Sequence, residues 1–331
     1  TVNVSENRRV RHHQTRSQET SFYKKESDRL RDFSDTVRQP HFRLSSGSPL
    51  SSIVQIGIGG SELGPNTFNQ AFSYVYGDHC PFKVHFIGNI DPMAIEHVLQ
   101  SLNLRETLFI FVSKSGSTLE SISNYELVES YWAAAGLDNE VLKQQTIGIT
   151  SKNSVLDRPS EYLNCFYIDD HIGGRFSMSS MVGGVVLSLA FGFDTYQAFL
   201  DGAHAMDNGC LTENITQNPA LLSAFISLWE RNYLGYTARA IIPYSAALSR
   251  FPNFVQQLSC ESNGKQVDSQ GKSVPFKTAD VIMGDQGTNA QHSFFQMLHQ
   301  GSDIIPVEFI GVKQSGLGNS TAIRNHDYLN I

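Results

Sequence analysis

At 331 residues the chain is long enough for two domains on a prior of about 150 residues each, and 40% hydrophobic with 17% charged residues describes a folded globular chain. A net charge of −7 argues against a nucleic-acid partner, because phosphate backbones select basic surfaces. The four cysteines (Cys80, Cys165, Cys210, Cys260) have no paired spacing, which argues against a disulfide framework or zinc knuckle and fits a reducing, cytoplasmic compartment.

The first fifty residues are polar and rich in Arg, His and Ser. A helix is expected over 27–37, where Leu30, Phe33 and Val37 recur at helical spacing. Nothing apolar follows Glu6, Arg8 and Arg9, so no secretory signal is expected at this end. From Ile53 the pattern changes to short apolar strands at 53–58, 84–87, 108–112 and 146–149, with helices over 92–99 and 119–135. Such alternation implies right-handed crossovers and a largely parallel sheet. A helix is expected over 180–191; its Gly183 and Gly184 would each cost roughly 1 kcal/mol if exposed, so close packing is the better reason for them. The apolar run 181–193 around it, broken by glycines and a serine, is too short for a membrane span of about 20 residues.

The second half repeats the alternation, with helices over 219–232, 246–258 and 289–300 and strands over 238–243, 279–283 and 305–310. The predicted fold is α/β with two mainly parallel sheets flanked by helices. Its expected divisions are a helical wrapping segment, 1–49, packing on the second domain, a first domain, 50–187, and a second, 188–331. Two such halves could face each other across a cleft.

Candidate chemistry collects where strands give way to helices. Ser113-Lys114-Ser115-Gly116-Ser117-Thr118 supplies hydroxyls, an ammonium and a flexible backbone ahead of a helix start, the composition of a phosphate cradle. The Walker order is absent, so a Mg-nucleotide is not expected, and a plain turn with Ser117 or Thr118 as N-cap is the structural alternative. In Gly57-Ile58-Gly59-Gly60-Ser61 the dinucleotide spacing fails at Glu62; close backbone approach to a sugar or phosphate and a simple tight turn remain. Arg175, after Gly173-Gly174, offers a donor fork to a carboxylate, phosphate or enediolate, or else a surface ion pair. Glu261, in Cys260-Glu261-Ser262-Asn263-Gly264-Lys265, is placed to be a general base beside a bound sugar or simply a solvated carboxylate. His292 is expected in the first turns of a helix opened by Gly287-Thr288-Asn289, where the dipole favours a neutral imidazole. Its neighbour two turns on, His299, is expected to be buried and structural.

Taken together these segments resemble the glucose-6-phosphate isomerase (phosphoglucose isomerase) family, and the resemblance runs nearly end to end. It is carried by Glu6-Asn7-Arg8-Arg9-Val10-Arg11-His12, Gly57-Ile58-Gly59-Gly60-Ser61, Ser113-Lys114, Gly173-Gly174-Arg175-Phe176-Ser177, Gly202-Ala203-His204, Glu261-Ser262-Asn263-Gly264-Lys265 and Gly287-Thr288-Asn289-Ala290-Gln291-His292. The resemblance implies two sugar-isomerase (SIS) type domains, each three-layered, and a homodimer with shared active sites, needing no cofactor and no metal. It implies that Ser113, Lys114, Ser115 and Thr118 hold the phosphate of a six-carbon sugar phosphate, with Gly60 and Ser61 lining the sugar and Gln257 a further contact. Glu261 would move a proton between C2 and C1, Arg175 would stabilise the cis-enediolate, and His292 would assist ring opening from the partner subunit. Two features depart from the family. Gly116 stands where many members place an aromatic residue, a form similar to some bacterial members, and the family's late Asp-Gln-x-Gly-Val-Glu stretch with its ring-opening lysine has no counterpart after Phe309. The expectation is that the chain omits that region. A sugar-phosphate-binding protein without catalysis is the alternative of another class, and an isomerase that also takes mannose 6-phosphate differs only around C2.

Overall fold

The computed structural model describes residues 2–3, 8–17 and 20–313, with side chains from Arg9 onward. The tail after Lys313 and the Glu6-Asn7 portion of the leading motif lie outside the described residues. The chain forms two compact units, one of residues up to Asn69 with Tyr76–Asn208, the other of Gln70–Val75 with the chain from Gly209.

In the first unit five parallel strands follow the apolar runs. They are β1 (Ser52–Ile56), β2 (Lys83–Ile87), β3 (Thr107–Val112), β4 (Thr146–Thr150) and β5 (Asn164–Tyr167), in the spatial order β2-β1-β3-β4-β5. Every residue of β1, β3 and β4 is buried, which is why these segments read as unbroken apolar runs rather than alternating ones. Gln55 is the polar residue in the interior of β1. It is fully buried, and its side-chain amide donates to Ser61 O (2.8 Å), bracing the loop that leaves the strand. The short strand β5 has no counterpart among the expected elements, because its four residues carry two polar ones and sit on the sheet edge.

Helices cover both faces of this sheet. α1 (Ser21–Val37) begins six residues before its expected start, capped by the Thr20 hydroxyl on Tyr23 N. Then come α2 (Leu63–Tyr76), α3 (Pro92–Gln100), started by Asp91 and Pro92, and α4 (Leu119–Ala134). Ile95, Leu99, Tyr125, Val128 and Trp132 from α3 and α4 pack on Val54, Ile56, Phe109 and Phe111. On the opposite side lies α5 (Met181–Phe191), wholly buried, with Val182 O accepting from Gln55 Nε2 (3.3 Å). A Cβ at Gly183 would strike Met178 O, and one at Gly184 would lie 2.9 Å from Tyr196, so close packing does account for both glycines. Ser188, the expected domain boundary, sits inside this buried helix, and the first unit runs on through most of α6 (Phe193–Gly209). The leading segment belongs to the first unit as well: Leu30 is buried, Arg29 donates to Cys165 O (2.8 Å) and Arg38 donates to Leu189 O and Ala190 O (2.7 Å each).

The second unit has α7 (Pro219–Asn232), β6 (Ala238–Pro243), α8 (Phe251–Asn263), β7 (Val281–Gly284), α9 (Gly287–Gln291), α10 (Phe295–Gln300) and β8 (Val307–Ile310). Its strands are parallel, in the order β7-β6-β8. This is the same order as β2-β1-β3, so the expected similarity of the halves extends to strand order. Two helix expectations need correction. The helix placed over 246–258 is a 3-10 turn, Ala246–Leu248, followed by α8, whose start is set by Pro252 in the first turn. The single helix placed over 289–300 is broken into α9 and α10 around His292–Phe294. No helix among the described residues is long and apolar enough to cross a membrane.

Candidate active site

In the first sheet the chain leaves β1 toward β2 on one side and later runs from β3 to β4 and β5 on the other, which makes the β1/β3 gap the topological switch point. In open α/β sheets, ligands bind in the crevice beyond the strand ends at such a point. The two loops that begin there are the ones singled out in the sequence, 57–61 after β1 and 113–118 after β3.

The β1 loop ends in a 3-10 turn, Gly59–Ser61, entered through Gly59 at φ +59°. Gly60 has its α-carbon against Gly174, so any side chain there would collide with the Gly174 carbonyl, and Ser177 Oγ donates to Gly60 O (3.2 Å). Two motifs more than a hundred residues apart in sequence are thereby placed back to back. Arg175, half-buried, holds its guanidinium carbon 5.0 Å from the centre of the Phe176 ring. That ring is stacked on His12 with centroids 4.0 Å apart and planes 2° from parallel. Burial, then the charge of Arg16, pushes His12 down to about 4, which keeps it neutral beside these arginines. Arg16 itself is paired through Nε and Nη2 with the two carboxylate oxygens of Asp207 (2.6 and 2.8 Å).

In the β3 loop Ser113 is buried, its Oγ lying 3.0 Å from Thr118 Oγ1 and accepting from Thr118 N (3.4 Å). Ser115 Oγ accepts from Ser117 N (3.2 Å) and Ser117 Oγ (2.9 Å), tightening the turn. Gly116 takes φ +72°, the left-handed region, where a Cβ would press on Val155 N and Leu156 N at 3.1 Å. Thr118 is the N-cap residue of α4 and makes no side-chain capping bond, so the first amides of that helix keep their donor capacity. The Lys114 ammonium donates to Asp170 O (2.8 Å) and Ile172 O (3.0 Å), which fixes its position at the rim.

Ser61, Ser113, Lys114, Ser115 and Thr118 line a cavity of about 480 Å³. Its far wall, which the sequence reading passed over, is the loop after β4: Ser151, Lys152, Asn153 and Ser154. That wall is joined to the cradle by Thr150 Oγ1 donating to Ser113 O (2.7 Å) and Ser151 N donating to Lys114 O (3.0 Å). The signal was present as one more polar run directly after a buried strand. Hydroxyls, two ammonium groups and a helix start around one cavity, against the single carboxylate Asp170, suit a phosphate ester, whose oxygens accept from those donors.

In the second unit Gln257 and Glu261 lie four residues apart on one face of α8. The helix runs along the open edge of β7, where Gln256 Nε2 donates to Ile282 O (2.7 Å) and Cys260 Sγ to Asp280 O (3.8 Å). Glu261 is exposed, whereas Gln257 Oε1 is buried with no hydrogen-bond partner among the described residues. Lys265 donates to Glu261 O and Ser262 O (2.9 Å), so its ammonium closes the last turn of the helix. His292 is the exposed C-cap residue of α9 rather than a first-turn residue, and the helix-start dipole argument does not apply to it. His299 is exposed on α10, with its ring 6.3 Å from Phe295, and is not the buried residue expected. α9 buries Ala290 on the sheet face of Ala240 and Ile242, so His292 and Glu261 stand on helices packed against different parts of this sheet.

A family profile described as phosphoglucose isomerase matches residues 1–330. The chain is 47% identical over 328 residues to the glucose-6-phosphate isomerase of Treponema denticola, covering 96% of this chain and 62% of that protein. Among solved structures it is similar to a glucose-6-phosphate isomerase from Chlamydia trachomatis, with a TM-score of 0.87 at 41% identity over 98% of this chain and 64% of the other. Tagatose-6-phosphate ketose/aldose isomerase from Escherichia coli, 17% identical, shares the fold at a TM-score of 0.56 over 95% of this chain and 73% of its own. The chain thus spans about three fifths of the length of the curated relative it matches. With the α/β fold of sugar-phosphate isomerases and a profile match over nearly its whole length, the chain belongs to the phosphoglucose isomerase family.

Proposed function

We propose that this chain takes part in the reversible aldose–ketose isomerisation of D-glucose 6-phosphate and D-fructose 6-phosphate, in glycolysis and gluconeogenesis, as a cytoplasmic homodimer with shared active sites. The observation that carries the proposal is the cavity at the β1/β3 switch point, lined by the residues of both loops, in a chain of this family. Ser113, Lys114, Ser115 and Thr118 hold the phosphate, and Gly60 and Ser61 line the sugar. Glu261 takes the proton from C2 of the open-chain aldose as its carbonyl oxygen becomes an enediolate oxygen, and returns it to C1. Arg175 stabilises the enediolate charge, Gln257 contacts the substrate, and His292 from the partner subunit moves the proton that ring opening requires. The steps need only proton transfers, so neither nucleotide nor metal enters the scheme.

Glu261→Gln tests the proposal, because glutamine keeps the size of glutamate and loses its basicity. In the natural full-length protein the variant is expected to bind sugar phosphate yet lose solvent-deuterium incorporation into it by several orders of magnitude, followed by NMR. Exchange at the unmodified rate would remove Glu261 as the base. Tight binding without exchange in both proteins would favour a sugar-phosphate-binding protein that does no chemistry.

A further inference from the structure

One polar atom at the phosphate cavity has no use in the assignments above. Ser121 lies in the first turn of α4, three residues after the N-cap Thr118, and lines the same cavity as Ser113, Lys114, Ser115 and Thr118. It is 1% exposed, and its Oγ is buried with no hydrogen-bond partner among the described residues. A helical serine ordinarily escapes that penalty by donating to the carbonyl four residues back, as Ser130 does on this very helix to Glu126 O (2.9 Å). Ser121 does not, so its donor is held unsatisfied at the wall of a cavity whose other polar lining groups are hydroxyls, two lysines, Asn153, the single carboxylate Asp170 and the start of a helix.

An unpaired buried hydroxyl calls for an explanation, and at the wall of a cavity a bound ligand supplies one that is open to no buried hydroxyl of the helix core, such as that of Ser188. Two lysines, Lys114 and Lys152, and the helix start outweigh the one lining carboxylate, Asp170, and give the cavity a positive potential, so the missing acceptor is an anion rather than a neutral group. Resting on the sugar-phosphate reading of the cavity, we propose that Ser121 donates a further hydrogen bond to the phosphate of the bound sugar, from below the cradle formed by Ser113, Lys114, Ser115 and Thr118. The unliganded protein carries the cost of the orphaned hydroxyl, and the phosphate relieves it. Stability without ligand and affinity for ligand therefore respond in opposite directions to the loss of this one oxygen.

The test compares the full chain with Ser121→Ala and with Ser123→Ala, a change on the same helix that does not line the cavity and matches the first in helix propensity. Inorganic phosphate and glucose 6-phosphate are titrated calorimetrically into each, and Tm is measured in phosphate-free buffer. Ser121→Ala is expected to weaken both ligands about tenfold, as loss of a hydrogen bond to a charged group does, while melting no lower than Ser123→Ala. Ser123→Ala is expected to bind like the unaltered chain. Unchanged affinity in Ser121→Ala overturns the role, and so does a Tm well below that of the control, which would mean the hydroxyl has a structural partner. If the unaltered chain is folded and binds neither ligand, the sugar-phosphate reading of the cavity fails and takes this inference with it. Binding of both ligands with equal affinity by the unaltered chain and Ser121→Ala removes only Ser121.

Discussion

Lys114 shows why the position of a charged residue counts for more than its presence in a motif. Its ammonium is already tied to Asp170 O and Ile172 O, so a phosphate meets a cation that has lost little entropy in being placed. Lys114→Ala is expected to weaken phosphate binding by about 1.5–3 kcal/mol, read by calorimetric titration. Arg175→Lys separates charge from shape, because an ammonium lacks the planar fork that also rests against Phe176. If Arg175 acts on the enediolate, kcat should fall far more than substrate affinity, and equal losses in the two would point to a ground-state contact. His12 gives a pH prediction. Its folded value, about 4, is below the ordinary 6.5, so as the pH drops the unfolded chain takes up the proton first. Above pH 6.5 the residue makes no demand on stability; between 6.5 and 4 stability falls, and below 4 its share of the slope vanishes. His12→Phe retains a ring to stack on Phe176 and removes the titration, so its urea midpoint should change less between pH 7 and pH 4.5 than that of the unaltered chain.

Loops and helices decide how the residues above come to be where they are. Gly60 against Gly174 locks the β1 loop to the segment that carries Arg175, and a methyl group cannot be admitted without moving one backbone or the other. Gly60→Ala should therefore cost about 1–3 kcal/mol in urea unfolding and also weaken phosphate binding, whereas Gly202→Ala, with open space at its Cβ, should do neither. Much of this was legible in the sequence. The buried strands β1, β3 and β4 announce themselves as apolar runs, and the polar segments after them mark the strand ends that line a site. Pro219–Asn232 and Ala238–Pro243 have the bounds the pattern predicts, because Asn218 with Pro219 and the run Ala240 to Ile242 punctuate them sharply. What could not be read depends on tertiary partners. The break at His292–Phe294 has no Gly or Pro to announce it, and nothing local to Ser121 says that its hydroxyl finds no carbonyl. The pairing of Gly60 with Gly174 is likewise set by backbone approach between distant segments.

At the scale of the whole molecule, both units use one strand order, β2-β1-β3 and β7-β6-β8, but they differ in how well their helices are covered. α5 is buried throughout, while no residue of α7 is fully buried: Leu222, Phe225, Ile226 and Trp229 are exposed at helical spacing, and Tyr233 stacks on Trp229 at 4.9 Å. A stripe of that kind binds hydrophobic dyes. Phe225→Ser with Trp229→Ser should lower dye fluorescence while shifting unfolding by no more than about 0.5 kcal/mol per site, the ordinary range for surface changes. A different consequence follows from α2, one continuous helix whose residues Gln70–Val75 belong to the second unit while its remaining residues belong to the first. Within the second unit Gln70 Nε2 donates to Ser249 Oγ (2.6 Å). A gene fragment stopped at Asn208 retains Gln70 and discards its acceptor, and a fragment begun at Gly209 discards Gln70. The chain thus has two compact units but no single scission that yields both intact, and dissection by truncation will report on the torn helix as much as on either piece.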